Sequence, residues 1–256
     1  MLISPSWIVR QSGPQRRLRL YCFSYAGGSA AAYLPWQSDL DPAIEVCAVQ
    51  LPGRGARMAE TPYSSLPALV AALGQVIRAG SALPFAFFGH SLGALVAFEL
   101  ARFCQRQALP TPEHLFVSGC EAPQYRSAPK NLHQLPHDEL VASLRSYNGT
   151  PQEVLDHREL MELLLPTIRA DFALVDNYRY QPGALLAMPL TVLAGRGDDH
   201  VEPGQVEQWR LETTAGCRVQ WFDGDHFFIN SQQRAVLSCV AADLAGLPAL
   251  ALPQYG

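Results

Sequence analysis

Strand-like and helix-like segments alternate along most of this 256-residue chain, and this alternation limits the folds open to it. Short apolar segments typical of buried strands are separated by longer segments with helical periodicity, such as the one at 65–80. The strand-like segments are 17–23, 45–51, 84–89, 114–119, 188–195 and 218–224. Chains of this order form a parallel sheet covered on both faces, so we predict an α/β fold with a mostly parallel central sheet.

Residues 133–180 interrupt the alternation, because they hold helical patterns and no convincing strand. They are too many for a single crossover between neighbouring parallel strands. We therefore predict a helical lid at 133–180, inserted into a core made of residues 1–132 and 181–256. A plain helical extension on the far face of the sheet is the alternative. Pro166 is expected to kink or divide the last of these helices.

The composition suits a large core and excludes several partners. Apolar residues make up 48% of the chain and the net charge is −4, with no basic run that would bind nucleic acid. No apolar run reaches the ~20 residues of a membrane-spanning helix. The first residues, MLISPSWIVR, do not resemble a signal peptide. The six cysteines are spread singly, as is usual for buried thiols, so we expect a cytoplasmic protein.

One short motif indicates nucleophilic chemistry. Ser91 stands in Gly89-His90-Ser91-Leu92-Gly93, between a predicted strand and a predicted helix. This is the G-x-S-x-G pattern in the context that projects a serine hydroxyl above a sheet. Glycines two positions before and after the serine fit a turn too crowded for side chains. The N–H of Leu92 opens the helix and is a natural donor to an oxyanion.

A second oxyanion donor is expected in the glycine-rich turn that follows the first predicted strand, Ala26-Gly27-Gly28. Its unencumbered backbone could present an N–H to the same oxygen. An ordinary strand-to-helix turn is the alternative for this segment.

A serine nucleophile needs a base, and His226 is the best placed of seven histidines. It follows the last predicted strand, as the base does in α/β-hydrolases, whose triads run in the order serine, acid, histidine. The acid is expected in the loop after the strand at 188–195, with Asp198 first, Asp199 second and Glu202 also present.

Two other features near these residues carry less weight. Asp225 is adjacent to His226 and is badly placed to reach its Nδ1 atom. His133 and His137 could suggest a metal pair, but Pro136 lies between them and no third ligand is clear, so we predict no metal site.

With these residues identified, the chain resembles type II thioesterases, α/β-hydrolases that accompany polyketide and nonribosomal peptide synthetases. The resemblance covers almost the whole chain, and its segments are FSYAGGSAAAYLPW, VQLPGRGAR, FFGHSLGALVAFELAR, LPHDELVASLRSYNGTPQEVL, LLPTIRADFALVDNYRY and GDHFFI. The family spacing selects Asp198 and His226, and it makes Ala26 the second oxyanion donor. One departure is Ser24-Tyr25, which stands where the family usually has Pro-His.

The resemblance implies an enzyme that hydrolyses acyl thioesters on the phosphopantetheine arm of carrier domains and so removes stalled or mis-primed acyl groups. The arm arrives with the substrate, so no cofactor is implied. The expected partners are acyl- or peptidyl-carrier domains, and the expected state is a monomer. Arg54, Arg57 and Arg169 could contact the acidic face of a carrier domain or the arm's phosphate; solvated or ion-paired arginines are the alternative.

Three rival functions remain at this level. A general carboxylesterase or lipase would use the same three side chains, and so would an acyl-CoA or fatty-acyl carrier thioesterase. A catalytically idle docking module would have no need of a complete Ser-Asp-His set.

Overall fold

The computed structural model describes residues 7–80 and 82–250, and seven strands of that part form one sheet. The order across the sheet is β1-β3-β2-β4-β5-β6-β7. The strands are β1 (Ile8–Val9), β2 (Leu18–Phe23), β3 (Ile44–Val49), β4 (Phe85–His90), β5 (Leu115–Ser118), β6 (Leu190–Gly195) and β7 (Cys217–Phe222). Only β1 is antiparallel to its neighbour among these strands. The predicted α/β fold with a mostly parallel sheet is confirmed.

Helices follow the strands in the expected alternation. They are α1 (Trp36–Asp39), α2 (Leu66–Gly80), α3 (Leu92–Arg106), α4 (His137–Tyr147), α5 (Gln152–Asp156), α6 (Arg158–Asp176), α7 (Pro203–Val206), α8 (Phe228–Ser231) and α9 (Gln233–Ala245). No helix in the described part of the chain is long and apolar enough to cross a membrane.

The sheet carries a hydrophobic core on each face. Successive side chains of a strand point to opposite faces, and β2 shows the consequence. Tyr21 and Phe23 join the cluster that α2 and α3 cover, whereas Leu20 and Cys22 join the cluster that α1 and α9 cover. Both faces of the central strands are therefore buried, which explains why their sequences read as continuous apolar runs.

The helices α4, α5 and α6 lie between β5 and β6, in the segment for which we predict a lid. They share a third cluster of buried side chains, which includes Leu140, Leu144 and Phe172. Pro166 does not divide the last helix, since α6 continues unbroken through it. The division of the chain into a core and a lid stays a prediction.

The fold places four loops at one edge of the sheet. The carboxyl ends of parallel strands meet at the same edge. The loops after β2, β4, β6 and β7 carry Ala26, Ser91, Asp198 and His226, respectively. Four segments that are distant in sequence therefore converge.

Candidate active site

Ser91 occupies a strained position at the hinge between β4 and α3. Its φ is 55° and its ψ is −116°, outside the regions that side chains normally allow. The surroundings hold it there. The N–H of Ser91 donates to the Ser118 carbonyl at 2.8 Å, next to the paired strand residues His90 and Ser118.

The two flanking glycines are required by contact rather than by torsion. A Cβ atom on Gly89 would lie 2.1 Å from the Gly93 carbonyl oxygen. A Cβ atom on Gly93 would lie 2.0 Å from the Phe23 carbonyl oxygen. Both contacts are with backbone, which cannot move aside without displacing helix α3 in one case and strand β2 in the other. The crowding predicted from the motif is therefore present on both sides of Ser91.

His226 and Asp198 form a buried hydrogen-bonded pair. The Nδ1 atom of His226 lies 2.7 Å from Asp198 Oδ2, and the Asp198 side chain has no exposed surface. The other carboxylate oxygen, Oδ1, accepts from the His200 N–H at 2.9 Å. Asp199 and Glu202 are exposed. The structure thus brings Asp198, and neither of the two alternatives in its loop, to the histidine.

Aromatic rings surround the imidazole of His226. Its ring centroid lies 5.1 Å from that of His90, 5.3 Å from that of Tyr147 and 5.4 Å from that of His200. Its Nε2 atom is buried and has no hydrogen-bond partner among the described residues. Ser91 and His226 line the same cavity. One nitrogen of the imidazole is therefore held by a carboxylate, while the other has no protein partner in the described chain.

His90 is buried beside His226 and is neutral. Its Nδ1 atom lies 2.9 Å from Ser118 Oγ, and the residue has no exposed surface. Burial, with a smaller contribution from His226, holds the pKa of His90 well below its ordinary value. Burial and His226 also lower the pKa of His200. Both shifts favour the uncharged form of the neighbouring ring over a second positive charge beside His226.

The two predicted oxyanion donors face this site. Ala26 and Leu92 line the same cavity as Ser91. Neither backbone N–H has a partner among the hydrogen bonds of the described residues, whereas the next N–H groups in the turn, those of Gly27 and Gly28, are both used. Gly27 donates to Asp171 Oδ2 at 2.8 Å and Gly28 donates to the Tyr25 carbonyl at 2.9 Å.

The cavity next to Ser91 has a volume of about 420 Å³ and is closed on one side by the helical segment. Tyr147, Phe172 and Val175 come from that segment, and Leu132 lies just before it. Leu140, Leu144, Leu155 and Leu165 of the predicted lid pack into its own cluster. Phe172 belongs to the same cluster and Tyr147 packs against it, and both of these aromatic side chains also line the cavity.

Three cations of this cavity were not singled out from the sequence. Arg126, Lys130 and Arg179 line it, and none of them forms an ion pair with a carboxylate among the described residues. Their polar contacts are with neutral groups, such as Cys120 Sγ for Arg126. No local pattern in the sequence distinguishes these three side chains from solvated ones, so they could not be singled out from the sequence.

The arginines chosen from the sequence lie elsewhere. Arg54 and Arg57 are buried: Arg54 pairs with Asp171 at 2.7 Å, and Arg57 pairs with Glu60 and lies over the Trp7 ring. Because both guanidinium groups are satisfied inside the protein, the ion-paired alternative describes them, and they offer no surface to a carrier domain. Arg169 is half-buried and donates to the His133 carbonyl at 2.8 Å.

The two histidines considered as a metal pair occupy structural positions in the helical segment. His133 Nδ1 lies 2.7 Å from Asp176 Oδ2, and His137 begins α4. No group of three or more potential metal ligands is found among the described residues. Asp225 accepts from Asn148 Nδ2 at 3.0 Å and from the Phe227 N–H, and so joins the helical segment to the loop of His226.

Comparison with known proteins agrees with this geometry. The thioesterase-domain family model matches residues 18–244. The gramicidin S biosynthesis protein GrsT of Aneurinibacillus migulanus is 40% identical over 239 residues, which cover 93% of this chain and 93% of GrsT. The thioesterase PikA5 of Streptomyces venezuelae is 36% identical over 244 residues, which cover 93% of this chain and 85% of PikA5.

The structural comparison gives the same family. The structure of BorB, described as the type II thioesterase of the borrelidin biosynthetic cluster, matches with a TM-score of 0.86 and 37% identity. The match covers 94% of this chain and 98% of BorB. The chain therefore belongs to the thioesterase family of α/β-hydrolases and is a type II thioesterase of nonribosomal peptide and polyketide synthesis.

Proposed function

We propose that this thioesterase unloads acyl groups from the phosphopantetheine arm of carrier domains, with Ser91 as nucleophile, His226 as base and Asp198 as the acid that orients the base. The observation that supports the assignment most directly is the 2.7 Å bond between Asp198 and His226 beside a cavity that also contains Ser91. The unpartnered Nε2 of His226 is the atom that would take the proton.

In the first half of the reaction, His226 Nε2 removes the proton of Ser91 as Oγ attacks the thioester carbonyl. The carbonyl oxygen becomes an oxyanion, which the N–H groups of Leu92 and Ala26 stabilise. Asp198 stabilises the imidazolium and holds its tautomer. When the intermediate collapses, the carbon–sulfur bond breaks, and the imidazolium gives its proton to the leaving sulfur atom, which departs as the thiol of the arm.

In the second half, a water molecule gives a proton to His226 as it attacks the acyl-serine carbonyl. The same two N–H groups stabilise the second oxyanion. Collapse releases the carboxylic acid, and the proton returns to Ser91. The lowered pKa values of His90 and His200 favour both halves, because they oppose a second positive charge beside His226, which would disfavour the imidazolium.

A carrier-bound substrate fits the charges of the cavity. The phosphodiester of the arm is an anion, and Arg126, Lys130 and Arg179 line the cavity without carboxylate partners among the described residues. The carboxylates that also line it are bonded to other groups, Glu121 to Ser127 and Asp176 to His133. We assign to these three cations the contact with the arm or its carrier that the sequence suggested for other arginines. The free state of all six cysteines agrees with a cytoplasmic location, where synthetases and their carriers would be found.

Intact-mass measurement tests the function. Carrier domains loaded with a panel of acyl groups are incubated with the protein, and the loss of each acyl mass is followed. We expect wild-type protein to release acyl groups and Ser91→Ala to release none. Faster turnover of matched oxoesters would favour a carboxylesterase, and equal rates on acyl-CoA and acyl-carrier would favour a less selective thioesterase.

The contact with the arm has a separate test. In Arg126→Gln, Lys130→Gln and Arg179→Gln variants, we expect KM for an acyl-carrier to rise severalfold, about 1 kcal/mol for each lost charge contact. KM for a short acyl thioester without phosphate is expected to stay unchanged. Arg158→Gln is the matched control, because this exposed arginine pairs only with Glu162 on its own helix. Equal effects on both substrates would refute the assignment.

A further inference from the structure

A buried carboxylate on α6 is bonded to the turn that carries one of the proposed oxyanion donors. Asp171 is 1% exposed, and its Oδ2 atom accepts from the Gly27 N–H at 2.8 Å. Arg54 donates to both oxygens of the same carboxylate, at 2.7 Å each. Through Nη1, Arg54 also donates to the Gly28 carbonyl at 3.0 Å. The carboxylate and the guanidinium thus hold the turn by an N–H and by a C=O.

These bonds act on a turn with few bonds of its own. The turn runs from Tyr25 to Gly28 and is closed by the Gly28 N–H donating to the Tyr25 carbonyl. Gly27, its third residue, has a φ of +76°, as a type II turn requires. The central peptide of a β-turn can adopt two opposite orientations, which distinguish types I and II. An acceptor for the Gly27 N–H selects one of them.

The same turn contains the Ala26 N–H. This group belongs to the Tyr25–Ala26 peptide, whose carbonyl closes the turn, so its direction depends on the turn keeping its shape. Packing adds to the polar contacts, because a Cβ atom on Gly27 would lie 3.1 Å from Ile168 on α6. The Ile168 side chain of α6 therefore packs directly against the turn.

The hydrogen bond of Thr167, also on α6, does not reach this turn. Thr167 Oγ1, one helical turn earlier, donates to the Gly53 carbonyl at 2.7 Å. That bond joins α6 to the loop after β3 and leaves the loop after β2 untouched. A variant at Thr167 therefore removes a bond that attaches α6 to the core without removing a bond to the turn, and it can be compared with a variant at Asp171.

We propose that Asp171 is a positioning residue, which acts through Gly27 and Arg54 to hold the Ala26 N–H in the direction that stabilises the oxyanion. The inference rests on the proposed function of Ser91 and Ala26. It makes α6 a fixed part of the catalytic apparatus, although the helix belongs to the segment above the sheet.

The test separates binding of an oxyanion from binding of a substrate. An acyl trifluoromethyl ketone adds to the serine and forms a tetrahedral oxyanion, whereas the matching acyl thioether binds without forming one. For Asp171→Asn we expect kcat and ketone affinity to fall by up to about 100-fold, the scale of losing an oxyanion donor, with thioether affinity unchanged. Thr167→Val is the control: we expect its melting temperature to fall about as much as that of Asp171→Asn, while its affinities for the ketone and the thioether stay within about threefold of the wild-type values.

Three results would overturn the proposal. The first is equal weakening of ketone and thioether binding, and the second is a kcat for Asp171→Asn no lower than that of Thr167→Val. If Asp171→Asn does not fold, Arg54→Lys replaces it, since lysine keeps the positive charge but cannot donate to both oxygens of Asp171 as the guanidinium does. The third result is an affinity for the ketone that is unchanged in Arg54→Lys. Failure of wild-type protein to unload acyl-carriers would instead refute the proposed function, so the two failures are distinguishable.

Discussion

At the scale of single residues, the hinge at Ser91 shows why a short motif can predict so much. The strained φ of Ser91 and the close approach of three backbone segments occur at one point. Glycine at positions 89 and 93 is the only solution that leaves room for β2, β4 and α3 to meet. The energetic cost of the strain is met by the packing of those elements.

The requirement for glycine gives a quantitative prediction. We expect Gly93→Ala to lower the free energy of unfolding by at least about 2 kcal/mol, because the new Cβ atom would meet the Phe23 carbonyl oxygen at 2.0 Å. Urea denaturation measures the change. Gly204→Ala is the control: a Cβ there meets nothing within 4 Å, so stability should stay the same or rise by up to about 1 kcal/mol. Similar midpoints for the two variants would contradict the crowding argument.

At the scale of elements, the helices above the sheet are attached in two different ways. The helix α6 is joined to the core by the buried bonds of Asp171 and Thr167. The buried leucines of α4, Leu140 and Leu144, pack within the helical segment itself. Its C-terminal end is joined to the core by the exposed bond of Asn148 to Asp225 and by the half-buried Tyr147 ring, which stacks on His200 at 3.6 Å. A segment held by exposed contacts opens more easily than one held by buried ones.

We therefore expect motion that admits a substrate to occur in residues 137–156 and not in α6. Hydrogen exchange followed by mass spectrometry should show amides of α4 and α5 exchanging at least about tenfold faster than those of residues 167–176. Asn148→Ala should speed exchange in α4 further. Gln152→Ala serves as its control, since this side chain bonds only to Asp156 within α5. Equal protection of the two regions would show that the segment moves as one body.

At the scale of the whole molecule, His114 joins the sheet to the final helix. Its Nε2 atom lies 2.9 Å from Thr191 Oγ1, which in turn donates to Asp243 on α9 at 2.8 Å. Burial lowers the pKa of His114 from 6.5 to about 4, against the opposing effect of Asp243. The folded protein therefore favours the neutral ring, and the unfolded chain binds the proton more tightly.

The sign of the pH dependence follows from this difference. The contribution of His114 to the free energy of unfolding is fully present above pH 6.5 and is lost as the pH falls toward about 4. When complete, this loss lowers the free energy of unfolding by roughly 3 kcal/mol. Urea denaturation at pH 7 and pH 4.5 should show a smaller difference in the free energy of unfolding between the two pH values for His114→Gln than for wild-type protein. His137→Gln, at the start of α4, should keep the wild-type difference; a His114 variant that also keeps it would contradict the prediction.

A feature of this protein could be predicted from the sequence when neighbouring residues alone determine it. The strands were predictable because a doubly covered parallel strand must be apolar throughout, and Ser91 was predictable because its turn tolerates only glycine nearby. The two-residue strand β1 was missed, since so short a segment has no periodicity. For the acid that bonds to His226, the local sequence indicated the loop after β6 but offered three acidic residues there, Asp198, Asp199 and Glu202.

The tertiary structure decided which charged groups are buried together and which face the cavity. Arg54 and Asp171 are 117 residues apart, and no local pattern distinguishes their buried pair from two solvated side chains. The same holds for Arg126 and Arg179, which meet at one cavity only because the helical segment folds back over the sheet. Local sterics and hydrophobic periodicity are properties of neighbouring residues, so the sequence specified the elements and the nucleophile. Electrostatic partnership depends on distance in space, so the structure alone determined the environment of the site.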